Sequence, residues 1–157
     1  MNTVQNSLVT PVGRLYLVAS EGGLQGIFWK KQNVPAKGPS RAMKFLRQAE
    51  RELKEYFGGK RKRFTVPLDV QGTAFQKKVW KALSAIPYGR AVSYKEVASR
   101  IGLKKAVRAV GNANGKNPVC IVVPCHRVLA HDGTIGGYSG GLGIKRKLLD
   151  LEKISVR

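Results

Sequence analysis

Ser93-Tyr94-Lys95-Glu96-Val97-Ala98-Ser99-Arg100-Ile101-Gly102-Leu103-Lys104-Lys105-Ala106-Val107-Arg108-Ala109-Val110-Gly111-Asn112-Ala113-Asn114 decides the fold of the better-marked half of this chain. Ser93 with Glu96 three residues later reads as a capping box. It opens a short helix with Tyr94, Val97, Ala98 and Ile101 on one side and Gly102 just past its end. A further helix is predicted from about Lys104 to about Asn114, with Val107 and Val110 toward the core and Lys104, Lys105 and Arg108 outward. Two short helices across a tight turn at Gly102-Leu103 match a helix-turn-helix, whose second helix usually lies against DNA. A helical hairpin with a solvated basic face reads the same way. The small residues Ala106, Ala109, Gly111 and Ala113 among the cations favour DNA, because they let a helix come close to a sugar-phosphate backbone.

Upstream, Thr73 and Gln76 form another capping box before Phe75, Val79, Ala82, Leu83 and Ile86, an apolar stripe that ends at Pro87 and Gly89. Downstream, Pro118 to Val123 reads as a buried strand that delivers Pro124-Cys125-His126-Arg127-Val128 at its exit. Only a thiolate is a good nucleophile, so a reactive cysteine needs neighbours that lower its pKa, and His126 and Arg127 are candidates. A small buried apolar residue closing a strand is the other reading of Cys125. Asp132-Gly133 makes a tight turn, and Ile135 to Gly143 is a loop with five glycines around Tyr138 and Ser139. A last amphipathic helix, with Ile144, Leu148, Leu149 and Leu151 apolar, carries Glu152.

The first third is strand-rich. Ser7 to Ala19 and Gly26 to Lys30 are β-prone runs around a Glu21-Gly22-Gly23 turn, which predicts a hairpin. After a loop from Lys30 to Ser40, a helix places Ala42, Phe45, Leu46, Ala49, Leu53, Tyr56 and Phe57 on one face, with Ser40 as its cap and Gly58-Gly59 as its stop. Lys60-Arg61-Lys62-Arg63 marks an exposed junction, and the domain boundary falls between Gly58 and Gly72. The fold class is therefore α+β. A small N-terminal α/β domain with an antiparallel sheet, residues 1–65, precedes a mostly helical C-terminal domain containing the helix-turn-helix, residues 66–157.

Of 157 residues, 29 are Lys or Arg and 9 are Asp or Glu, a net charge of +20 that suits a polyanion, nucleic acid first. Thr73 to Arg157 holds sixteen of the basic and four of the acidic residues, a surplus of twelve. No apolar run is long enough to span a bilayer and no signal-peptide pattern occurs, so a cytoplasmic protein is expected. Cys120 and Cys125 lie five apart on the predicted strand, where odd spacing sends their side chains to opposite faces and disfavours a disulfide. With only His126 and His131 besides, no metal site is expected.

Phe75-Gln76-x-x-Val79-Trp80, Ile86-Pro87-Tyr88-Gly89, Val92-Ser93-Tyr94, Arg108-Ala109-Val110-Gly111, Asn117-Pro118, Pro124-Cys125-His126-Arg127 and Tyr138-Ser139-Gly140-Gly141-Leu142 together resemble the O6-alkylguanine-DNA alkyltransferases from Thr73 to about Glu152. The first 72 residues resemble that family only in layout. The resemblance implies a DNA-repair protein that moves an alkyl group from O6 of guanine in double-stranded DNA irreversibly onto its own cysteine, Cys125, once per molecule and without a cofactor. By the family pattern, Glu152 orients His126, which takes the Cys125 proton through a water, and Tyr94 is the donor to the departing guanine. The backbone near Ser139, in the loop with Gly136 and Tyr138, would hold the O6 side. Carbonyls of Cys125 and Val128 would hold the exocyclic amine. Arg108 matches the finger that fills the space left by the flipped nucleotide. Ala106, Ala109, Gly111 and Ser93 belong to the DNA-binding face, which enters the minor groove. Asn117 would brace the helix-turn-helix against the active-site strand. The resemblance further implies a monomer, associated with the nucleoid.

Three positions depart from the family pattern. Cys120 stands where proline or an aliphatic residue is expected, Asn112 and Asn114 make the end of the recognition helix more polar, and the zinc ligands that some members carry in the first domain are missing. Three rival readings remain on the sequence: a lesion-binding relative that repairs nothing, a helix-turn-helix regulator with a structural cysteine, and a thiol hydrolase.

Overall fold

The computed structural model describes residues 2–157, so the first residue of the expected 1–65 domain lies outside it. Its contacts divide the chain between Gln71 and Gly72 into two compact units. The first unit is a three-stranded antiparallel sheet, β1 (Val4–Thr10), β2 (Gly13–Ser20) and β3 (Gly23–Phe28), in that order, with helix α1 (Ser40–Phe57) packed on it. The run from Ser7 to Ala19 is thus two strands and not one. It turns at Thr10-Pro11-Val12-Gly13, where the Thr10 hydroxyl receives the Val12 N–H and Gly13 takes φ 107°. Helix α1 begins one residue earlier than a Ser40 cap requires: Pro39 holds the cap position, Ser40 is the first helical residue, and no side chain caps the end. Ala42, Phe45, Leu46, Ala49, Leu53 and Tyr56 are buried as their spacing predicts.

Residues 65 and 66 are bound to the first unit by a buried carboxylate. Glu52 accepts hydrogen bonds from the Thr65 N–H (2.8 Å), the Val66 N–H (3.1 Å), the Thr65 hydroxyl (2.8 Å) and Gln48 Nε2 (2.9 Å). Burial pushes the Glu52 carboxyl up, but these donors together leave it below its usual value.

The second unit contains α2 (Ala74–Ser84), β4 (Val92–Ser93), α3 (Tyr94–Arg100), α4 (Val107–Gly115), β5 (Val128–Leu129) and α5 (Leu142–Leu151). At α2 the capping box is complete: Thr73 Oγ1 receives the Gln76 N–H and Gln76 returns to the Thr73 N–H. At α3 only half of it forms. Ser93 receives the Glu96 N–H, whereas the Glu96 carboxylate goes to Arg100, 2.9 Å away. Gly102, at φ 76°, turns the chain between α3 and α4 in a conformation that costs any side-chain-bearing residue. Helix α4 starts at Val107, so Lys104, Lys105 and Ala106 precede it. Trp80 Nε1 donates to the Ala113 carbonyl (2.8 Å), tying α2 to the end of α4.

Residues 118–123 do not form the predicted strand. The short parallel pairing here joins β4 to β5, Val92 opposite Val128 and Ser93 opposite Leu129, and leaves 118–123 without a partner strand. Asn117 instead curls that segment into turns, receiving the Val119 N–H (3.0 Å) and donating to the Val123 carbonyl (2.7 Å). Ile121 is buried at φ 77°, an unusual conformation for a β-branched residue that only a tightly determined turn maintains. Cys125 to Arg127 follow as one turn of 3₁₀ helix.

Candidate functional site

Pro124 and the turns before it aim Cys125 into a small cavity of about 170 Å³. Tyr94 from the start of α3, Gly111, Asn114 and Gly115 from the end of α4, and Gly137, Tyr138 and Ser139 from the glycine-rich loop line the rest of it. The cavity therefore brings Cys125 together with the helix-turn-helix. Cys125 and Cys120 are both free thiols, and both are buried. The strand on which opposite faces were to keep them apart does not exist.

The expectation that His126 and Arg127 lower the Cys125 pKa is not met. Burial dominates and pushes the thiol up to about 11, moderated by a hydrogen bond from the Asn117 side chain and the positive charge of Lys145. His126 and Arg127 face the other way. His126 Nε2 lies 2.6 Å from Glu152 Oε2, and Arg127 donates from Nε to Glu152 Oε1 (2.8 Å), from Nη2 to Oε2 (3.1 Å) and from Nη1 to the Ile86 carbonyl (2.7 Å). Glu152 is not inside the last helix but caps its C-terminal end, one residue after α5, and it also receives the Gly89 N–H (3.1 Å).

All three side chains are buried. Burial lowers the His126 pKa most, Glu152 opposes that, and Arg127 and Lys145 reinforce it, so the imidazole is neutral near pH 7. A neutral ring facing a carboxylate carries its proton on Nε2. Nδ1 is then an acceptor, and it is buried with no protein partner. That is the protonation state a general base requires.

Two further residues, Lys145 behind the cavity and Asn114 on its wall, belong to the site although the sequence did not single them out for it. Lys145 is fully buried: its Nζ donates to the Val128 carbonyl (2.6 Å) and the Gly137 carbonyl (2.9 Å) and lies 6.0 Å from the centre of the Tyr94 ring. Burial pulls its pKa down to about 8. The signal was available, since Lys145 stands three and four residues before Leu148 and Leu149, on the apolar stripe of α5. Asn114 does not extend the polar outer face of α4. It is buried, continues the Val107–Val110 stripe inward, and its Nδ2 reaches the Cys125 carbonyl at 3.5 Å.

Of the other residues singled out, Tyr94, Gly111, Tyr138 and Ser139 come together at the cavity. Burial raises the Tyr94 pKa above the usual phenol value, keeping the hydroxyl protonated, with the Gly137 backbone acting the other way. Gly136, at φ 70°, lies behind Tyr94, where an added Cβ would meet the hydroxyl at 3.1 Å. Val128 does not line the cavity, and its carbonyl already receives Lys145. Arg108 and Ala109 are exposed on α4, while Ala106 and Ser93 are half-buried. Among the described residues, no group of three His, Cys, Asp or Glu side chains could hold a metal ion, and no helix is long and apolar enough to cross a membrane.

A buried thiol next in the chain to a glutamate-bound histidine, at the wall of a small cavity that also takes in the end of a helix-turn-helix, is what this unit assembles. Residues 74–154 match the DNA binding domain of 6-O-methylguanine DNA methyltransferase, and residues 4–70 match its ribonuclease-like domain. The chain belongs to the 6-O-methylguanine DNA methyltransferase family. It is 45% identical over 152 residues to the methylated-DNA–protein-cysteine methyltransferase of Methanosarcina barkeri, covering 94% of this chain and 96% of that protein. It is 42% identical over 159 residues to the constitutive enzyme of the same name from Bacillus subtilis, covering 94% of each. The crystal structure of Mycobacterium tuberculosis OGT in complex with DNA superposes with a TM-score of 0.85 at 41% identity, covering 94% of this chain and 91% of that one.

Proposed function

We propose that this protein repairs DNA by transferring the alkyl group of O6-alkylguanine in double-stranded DNA to Cys125, irreversibly and once per molecule. The observation that carries this reading is the thiol at the wall of a cavity that also contains Tyr94 and the end of α4. The Cys125 sulfur attacks the alkyl carbon, a C–S bond forms, the C–O6 bond breaks with its electron pair going to the guanine, and the thiol proton ends on the base. Because burial holds the thiol at about 11, a base has to act. Neutral His126, bonded to Glu152 through Nε2, offers Nδ1 for that proton through a bridging water. Tyr94, protonated by virtue of burial, donates to the departing guanine, whose developing negative charge is the main electrostatic demand of the step.

A base stacked in a duplex cannot reach a buried thiol, so the nucleotide is flipped out, at a cost of a few kcal/mol. Exposed Arg108 fills the gap, and Ala106, Ala109, Gly111 and Ser93 lie along the minor groove. The +20 net charge supports sequence-independent attraction to phosphate, and with it a monomer working on the nucleoid in the cytoplasm. The test is Cys125→Ala: it abolishes methyl transfer and leaves binding to duplex intact. Loss of both would make the thiol part of the fold and remove its assigned role.

A further inference from the structure

Asn114, 4% exposed, lines the cavity that holds Cys125, and its Oδ1 is a buried acceptor without a partner. A buried polar atom without a hydrogen bond is uncommon in a folded protein and marks a place where a ligand group belongs. Its orientation limits what that group can be. The Asn114 Nδ2 is directed at the Cys125 carbonyl, so the amide oxygen, the other arm of the same planar group, does not point at the carbonyl that would take the base's exocyclic amine. Asn114 and Cys125 line the same small cavity, so a substituent whose first carbon reaches the sulfur extends along the wall that Asn114 forms. That space is small, about 170 Å³ in all, against roughly 300–1,000 Å³ for ordinary ligand clefts. Only a short substituent fits beside the purine.

Resting on the reading that Cys125 accepts the O6 substituent, we infer that Asn114 selects short alkyl groups that end in a hydrogen-bond donor, with 2-hydroxyethyl as the type. The hydroxyl donates to Oδ1 while the sulfur attacks the carbon bonded to O6. The products are S-(2-hydroxyethyl)cysteine and guanine, the thiol proton passing to the base. The propyl group is the control, since it has the same number of heavy atoms and cannot donate. An apolar tail leaves Oδ1 desolvated and unpaired, whereas the hydroxyl satisfies it.

The test uses the full chain and duplex oligonucleotides bearing O6-(2-hydroxyethyl)guanine, O6-propylguanine or O6-methylguanine, with single-turnover rates read from alkylation of Cys125. The native protein is expected to react with hydroxyethyl faster than with propyl by about five- to thirty-fold, the value of one satisfied buried hydrogen bond. In Asn114→Leu, similar in size and unable to accept, that ratio falls to about one or inverts, whatever the variant's absolute rates. A native ratio near one overturns the inference even if the variant does not fold, and an unchanged ratio in a folded variant does the same. If Asn114→Leu alters discrimination between O6-methylguanine and O6-methylhypoxanthine instead, the amide reads the base amine and the inference is wrong. Failure of methyl transfer in the native protein defeats the reading of Cys125 and this inference with it, whereas a native ratio near one with methyl transfer intact defeats this inference alone.

Discussion

At His126 burial outweighs the pull of Glu152, and Arg127 adds to it. A carboxylate at 2.6 Å alone would draw a proton onto the imidazole, but Arg127 donates to both Glu152 oxygens and spreads that charge. Removing the charge should therefore cost more than one hydrogen bond, because it leaves a buried guanidinium unpaired. Glu152→Gln is expected to destabilise the protein by about 3–5 kcal/mol, read as a lower urea midpoint. The lowered His126 pKa has a definite sign. The unfolded chain takes up the proton first as pH falls through about 6.5, so stability is present above that value and drops below it until the folded imidazole also protonates, by up to about 1.4 kcal/mol per pH unit. Urea midpoints measured from pH 7.5 to 5.5 should show a shallower fall in His126→Asn than in the native protein; equal slopes would mean that another group titrates. The sequence brought the chemistry-bearing residues to notice by type and adjacency. It did not reveal their partners, because Cys125 and His126 are neighbours in the chain that face different groups, and the cation acting on the thiol is Lys145, twenty residues on.

Among the elements, helices with a capping signal were the most legible, since Thr73 and Ser93 act through bonds three residues away. Thr73→Ala should cost about 1 kcal/mol, measured by urea unfolding, because α2 loses its N-terminal acceptor. Residues 118–123 were misread for a matching reason. Strand identity depends on a partner elsewhere, and an apolar run that curls around Asn117 has the same composition as one that pairs. In α4, helical periodicity assigns Val110 and Asn114 to the inner side, and Arg108 remains outside. Arg108→Ala is expected to slow reaction with lesion-bearing duplex by at least about ten-fold and to leave reaction with the free base O6-methylguanine nearly unchanged. Equal losses on the two substrates would rule out a gap-filling role.

For the whole molecule, the charge surplus was the one property read without any folding argument, and it makes a prediction of its own. If Lys and Arg side chains displace counterions from phosphate, the logarithm of the affinity for undamaged duplex falls linearly with the logarithm of salt concentration, by about 0.9 per phosphate contacted. A flat response would show that charge is not the source of affinity. The two-part layout was legible because helical caps and glycine stops punctuate it. The number of strands in the first part was not, since a two-residue turn at Pro11-Val12 hides inside a continuous β-prone run. What unites the scales is transfer to a single sulfur. The most direct test is the mass of the peptide containing Cys125 after the protein is mixed with duplex carrying O6-methylguanine. This account predicts the gain of one methyl group, stopping at one equivalent per protein; an unmodified cysteine in folded protein, or continued turnover beyond one equivalent, would contradict it.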